Sequence, residues 1–193
     1  MRSICVFCGS SEGKDPAYRE AAEALGRLLA AQGLQLVYGG ARVGLMGRIA
    51  DAVLQEGGRV AGVIPAALFP KEIPHPNLTQ LHVVESMHER KRLMYELSDG
   101  FIALPGGLGT LDELFEILTW GQLGLHAKPC ALLNVAGYFD PVLKFLDEAV
   151  ARGFLKPKHR RLLLDCGDPA ALLAALQAFQ PPSAEKWIGP AET

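Results

Sequence analysis

A chain of 193 residues, 49% of them hydrophobic, is long enough for one sizeable core and reads as one domain rather than two. Its formal net charge of −2 argues against an electrostatic nucleic-acid footprint. The expectation is a protein without a membrane partner, soluble and cytoplasmic: no apolar run approaches about 18 residues, and the N-terminus MRSICVFCGSS runs from a strand-like stretch straight into Gly and Ser, without signal-peptide organisation.

Taken in chain order, short aliphatic runs alternate with helical periodicity. SICVFC, LQLVYG, RVAGVI, LHVV, FIALP, CALLNV and LLLD are continuous rather than alternating in polarity, as in strands buried on both faces. Between them, helices are predicted over Pro16 to Gln32, Gly44 to Gln55, Met87 to Ser98, Thr110 to Leu123, Asp140 to Arg152 and Pro169 to Phe179. This order predicts a Rossmann-like three-layer α/β sandwich, a parallel β-sheet covered by helices on both faces. The domain is expected to span residues 1–180, with a Pro-rich polar tail over 181–193 and one long break at KEIPHPN.

Cys5 and Cys8 form a C-x-x-C, but strand residues three apart point to opposite faces, and no second Cys or His pair stands at zinc spacing. They read as core thiols, and no metal is expected. His88 and His126 read as surface or loop histidines, with proton donation the alternative.

In a parallel sheet, ligands bind beyond the carboxyl ends of the strands, where loops meet helix N-termini. Three such ends are rich in Gly or Ser: CGSSEG at 8–13, YGGARVGLMG at 38–47 and PGGLGT at 105–110. Each offers backbone N–H groups without side-chain obstruction at the positive end of a helix, a setting for phosphate. Three on one edge point to a nucleotide or sugar phosphate. GLGTLD lacks the third glycine of the dinucleotide fingerprint, and neither a P-loop nor G-x-S-x-G occurs.

Met87, Arg90, Met94 and Leu97 are spaced to share one helical stripe, which places a guanidinium on an otherwise apolar face. Such a charge needs an anionic partner; a structural salt bridge and a functional role both remain open. Lys91 and Arg92 project elsewhere, toward solvent. Thr110-x-x-Glu113 matches a capping box, with Thr110 as N-cap, and that is the favoured role for Glu113 from this stretch alone. A Glu there, beside a double-glycine turn and across from an inward Arg, is also placed to act on a bound ribose.

The segments YGGARVGLMG, MHERKRLM and FIALPGGLGTLDELFEILTWGQLGLHAKP resemble the Lonely Guy (LOG) family, with its PGGxGTxxE signature and upstream Met-x-x-Arg-Lys helix, over Ser3 to about Cys166. One departure is Ala41, where plant members often carry a third glycine. The resemblance implies a homodimeric phosphoribohydrolase without cofactor, in which water cleaves the N-glycosidic bond of an adenine nucleoside 5'-monophosphate. It assigns catalysis to Glu113 and Arg90. Gly106, Gly107, Gly109 and Thr110 are to hold the 5'-phosphate, and Ser10, Gly39, Gly40, Met87 and Lys91 to complete the binding set. The predicted dimer is built around the helix at 110–123, apolar on nearly every side. Alternatives are a general AMP nucleosidase with no cytokinin preference, and a non-catalytic nucleotide or sugar-phosphate carrier. The family's older label, lysine decarboxylase, finds no Schiff-base lysine with an acidic partner here.

Overall fold

The computed structural model describes residues 1–69 and 73–182. Part of the predicted loop at 71–77 and the tail beyond Pro182 lie outside the described residues.

The apolar runs become seven strands: β1 Ser3–Phe7, β2 Gln35–Tyr38, β3 Val60–Pro65, β4 Gln80–Val84, β5 Gly100–Ala103, β6 Cys130–Leu133 and β7 Leu163–Cys166. They pair in parallel in the order β4-β3-β2-β1-β5-β6-β7. The chain therefore starts in the middle of the sheet, builds outward to β4, and returns to lay β5 on the other side of β1. That reversal between β1 and β5 is the topological switch point where an open parallel sheet leaves a crevice.

The helices are α1 Pro16–Ala31, α2 Gly44–Gln55, α3 Met87–Glu96, α4 Leu108–Gln122, α5 Asp140–Ala151, α6 Pro157–Arg160 and α7 Pro169–Ala178. α1, α2 and α7 cover one face of the sheet, with Leu25, Leu29, Ile49, Val53 and Leu172 packed on Ile4, Val6, Leu36 and Ile102. α3, α4 and α5 cover the other, where Met94, Leu114 and Ile117 meet Phe7, Val37, Phe101 and Leu132. Cys5 and Cys8 fall in different clusters, as strand alternation requires. Burial pushes the Cys5 and Cys8 thiols well above their usual range, which leaves them un-ionised.

Helix starts follow local chemistry. Asp15 accepts from the Ala17 N–H at 2.9 Å ahead of Pro16, and Asp168 accepts from the Ala171 N–H at 2.8 Å ahead of Pro169. A reciprocal cap does occur, but at α3: Ser86 Oγ accepts from the Glu89 N–H at 3.1 Å, and Glu89 Oε2 takes the Glu85 N–H at 2.8 Å. The capping box predicted at Thr110 is absent. α4 starts earlier, at Leu108 after Gly107, so Thr110 is already helical and Glu113 lies in the second turn, beyond reach of the cap. Neither α6 nor the sheet order is a sequence expectation.

Candidate active site

β1, β2 and β5 end side by side, and the loops beyond them converge. A cleft of about 230 Å³ opens there, lined by Ser10, Gly39, Met87, Arg90, Gly107, Gly109, Thr110 and Glu113 together with Val6, Cys8, Met46, Leu108 and Asp112. A larger cleft, about 430 Å³, lies around Leu125, His126 and His159 and includes none of the predicted site residues.

Arg90 is only 8% exposed. α3 directs it inward, as its spacing predicts, and its Nε donates to the Val63 carbonyl within β3, 3.1 Å away. Its Nη1 stands 3.7 Å from Glu113 Oε1. A methyl group on Gly39 would collide with this guanidinium, so the glycine after β2 is explained by the arginine passing over it. Met87, at the outer end of the same stripe, is 41% exposed.

Glu113, 9% exposed, comes from the opposite wall. Burial pushes its carboxyl up to about 7, outweighing the downward pull of Arg90, while Asp112 adds a further rise. The site thus holds a carboxyl poised to change charge near neutrality beside a fixed cation, a pairing more typical of chemistry than of structural ion pairs.

The floor is bare backbone. Gly107 ends the loop and begins α4 without a side-chain cap, so the first N–H groups of the helix have no partner within it. A Cβ on Gly107 or Gly109 would meet no heavy atom within 4 Å, and neither glycine has a positive φ. Nothing in the fold demands glycine at either place; a side chain there would only occupy the open space above the backbone N–H groups.

Not every residue in the predicted binding set faces the cleft. Gly40 turns the backbone at φ 80°, where a Cβ would press on Ile64, and its carbonyl accepts from the His75 N–H at 2.9 Å. Gly106 sits beneath the Thr110 hydroxyl and against the Gly9 N–H. Lys91 is not solvated: its side chain is 15% exposed and bridges Asp112 at 3.3 Å and Glu116 at 3.0 Å. These three stand behind the lining, Lys91 as a strut between α3 and α4 that also draws the Glu113 carboxyl downward. His88 is exposed, whereas His126 is partly buried, its Nε2 against the Ile117 carbonyl at 2.8 Å. Among the described residues, no group of three or more His, Cys, Asp or Glu is placed to hold a metal ion.

Comparison with known proteins bears directly on this site. The family model described as "Possible lysine decarboxylase" matches residues 46–176, which include Arg90, the PGG turn and Glu113. A relative from Rhodococcoides fascians, named cytokinin riboside 5'-monophosphate phosphoribohydrolase, is 50% identical over 178 residues, 92% of this chain and 90% of its own. The chain belongs to the Lonely Guy family. A rice member, named a probable cytokinin riboside 5'-monophosphate phosphoribohydrolase (Oryza sativa subsp. japonica), is 51% identical over 94% of this chain and 80% of its own. A solved molybdenum cofactor binding protein of Rippkaea orientalis shares the fold at a TM-score of 0.70 and 23% identity, over 92% of this chain and 96% of its own. The decarboxylase description of this Lonely Guy family model has no support in the cleft, whose lining contains no lysine to carry a Schiff base.

Sequence reasoning missed Met46, Leu108, Asp112, Val6 and Cys8 as lining residues. Met46 carried a signal, since it lies inside YGGARVGLMG, but the assignment stopped at the glycines. Cys8 read only as core.

Proposed function

We propose that the protein hydrolyses the N-glycosidic bond of adenine nucleoside 5'-monophosphates, N6-substituted ones among them, to give the free base and ribose 5-phosphate. One observation carries this: a buried carboxyl, Glu113, meets a guanidinium, Arg90, 3.7 Å away, across a cleft floored by the uncapped start of a helix. The names of relatives at about half identity, cytokinin riboside 5'-monophosphate phosphoribohydrolases, support the substrate class.

The 5'-phosphate lies on the N–H groups of Gly107 and Gly109 and the Thr110 hydroxyl, at the positive end of α4. The ribose then lies toward Glu113, and the base toward Met46 and Met87, whose thioethers suit a flat aromatic ring. The C1'–N9 bond breaks with its electron pair leaving on the base, and positive charge develops on the ribose. The Glu113 carboxylate stabilises that charge and aligns water, as in other glycoside hydrolyses. Water oxygen bonds to C1'; one of its protons stays on the new hydroxyl and the other reaches the departing base. Arg90 orients the nucleotide and holds Glu113 toward the ribose.

We propose further that the chain works in the cytoplasm as a homodimer through α4, where Leu111, Phe115, Leu118 and Trp120 are only partly buried. Whether plain AMP or a prenylated nucleotide is preferred depends on the depth of the Met46 side of the cleft. The test is chromatographic: incubation with AMP and, separately, with isopentenyladenosine monophosphate releases base and ribose 5-phosphate in equal amounts. Nucleotide binding without release from either would leave a carrier. Equal rates from both would make it a general nucleosidase.

A further inference from the structure

Tyr138 lies in the turn after β6, outside the segments assigned to the reaction. Its hydroxyl donates to the Gly106 carbonyl at 2.6 Å. Its ring packs edge-on against Tyr18, with centroids 5.6 Å apart, and against Phe139 at 5.0 Å. Tyr18 stands at the start of α1 with its ring over Gly13. One side chain therefore ties the loop after β1 to the loop after β5, the two loops that form the floor and one wall of the cleft.

The carbonyls of the Pro-Gly-Gly turn are each taken up. Pro105 accepts from the Gly9 N–H at 3.0 Å, Gly107 from the Leu111 N–H at 3.2 Å, and Gly106 from Tyr138. The Gly106–Gly107 peptide is trans and planar, so its C=O and N–H point in opposite directions. Holding the oxygen on Tyr138 turns the Gly107 N–H the other way. Neither flanking glycine has a Cβ to restrict rotation of this peptide, so its plane rests on its hydrogen bonds and on the packing of Gly106 against Thr110 and Gly9.

We propose that Tyr138 is a positioning residue that locks the Gly106–Gly107 peptide with its N–H facing the cleft, where it receives the 5'-phosphate. The inference rests on the nucleotide-binding role given above. It predicts an effect confined to ligands that carry the phosphate. The hydroxyl contributes to binding alone, equally in ground and transition states, so its loss changes KM rather than kcat.

The experiment uses the full chain and Tyr138→Phe, which keeps the ring on Tyr18 and Phe139 and removes only the hydroxyl. Calorimetric titration with ribose 5-phosphate is expected to give a Kd about tenfold weaker in the variant, the effect of one hydrogen bond. Titration with adenine is expected to be unchanged. With AMP as substrate, KM rises by the same factor and kcat stays within about twofold. Equal ribose 5-phosphate affinity in both proteins overturns the proposal, as does equal weakening toward adenine, which would mean general loss of the cleft's shape. Failure of the wild type to bind ribose 5-phosphate overturns it too. Failure of the wild type to cleave AMP sinks only the hydrolase assignment, since the titrations decide the role of Tyr138 without turnover.

Discussion

Replacing Glu113 with Gln should make the free protein more resistant to unfolding at alkaline pH while it slows turnover by about two to three orders of magnitude. Burial raises the Glu113 carboxyl from 4.5 to about 7 despite Arg90 at 3.7 Å. In the unfolded chain the group ionises near its ordinary value, so between about pH 4.5 and 7 the native state holds a proton that the unfolded state has released. Stability from this group is therefore fully present below pH 4.5 and lost as pH rises through about 7. At 1.36 kcal/mol per unit, the loss is about 3 kcal/mol. Gln is isosteric and neutral at every pH, so the variant lacks this loss. Urea unfolding of both proteins at half-unit intervals from pH 5 to 8.5 isolates the effect, because every other titrating group is common to both. The stability of the variant relative to the wild type should climb by about 2.5 kcal/mol across that range, or about 5 to 10 °C in Tm for a chain of this size. A difference that stays constant from pH 5 to 8.5 would refute the reasoning, and with it the idea that the site holds Glu113 against its own solvation.

The same titration governs activity. If the carboxylate is the working form, kcat/KM should rise about tenfold per pH unit below 7 and level off above it; a flat profile from pH 5 to 8 would remove Glu113 from that role. Gly39→Ala places a methyl group against the Arg90 guanidinium. It should reduce turnover by about 100-fold by displacing that group, with a stability cost of about 1–3 kcal/mol, measured by AMP cleavage and urea unfolding; near-normal turnover would show that Arg90 need not lie where it does. Incubation with EDTA followed by the AMP assay should leave the rate unchanged, since the chemistry is assigned to side chains alone.

The layered fold was legible because burial on both faces writes itself into continuous aliphatic runs, and strands such as Cys130–Leu133 were predicted within a residue or two of where they end; β4 departs from this, since at the edge of the sheet it leaves Leu81 and Val83 exposed. The strand order was not, because parallel pairing leaves no local mark. Arg90 was legible from spacing: a charge on an otherwise apolar stripe asks for a partner. Glu113 shows the limit of a motif. Thr-x-x-Glu and Ser-x-x-Glu are the same local pattern, yet Ser86 caps its helix and Thr110 does not. The difference is where the helix starts: α4 begins at Leu108, two residues before Thr110, so Thr110 is already inside it. Lys91 reads as solvated because its partners, Asp112 and Glu116, belong to the next helix, α4, and the spacing of α3 alone carries no trace of them.

The central claim is that the Glu113 carboxylate drives departure of the base, and single-turnover cleavage of AMP by Glu113→Gln tests it most directly when nucleotide affinity is measured in the same samples. Affinity is expected within a few-fold of the wild type and base release slower by about 100- to 1,000-fold, the cost of removing one electrostatic stabiliser of the transition state. Base release by the variant at the wild-type rate would contradict it.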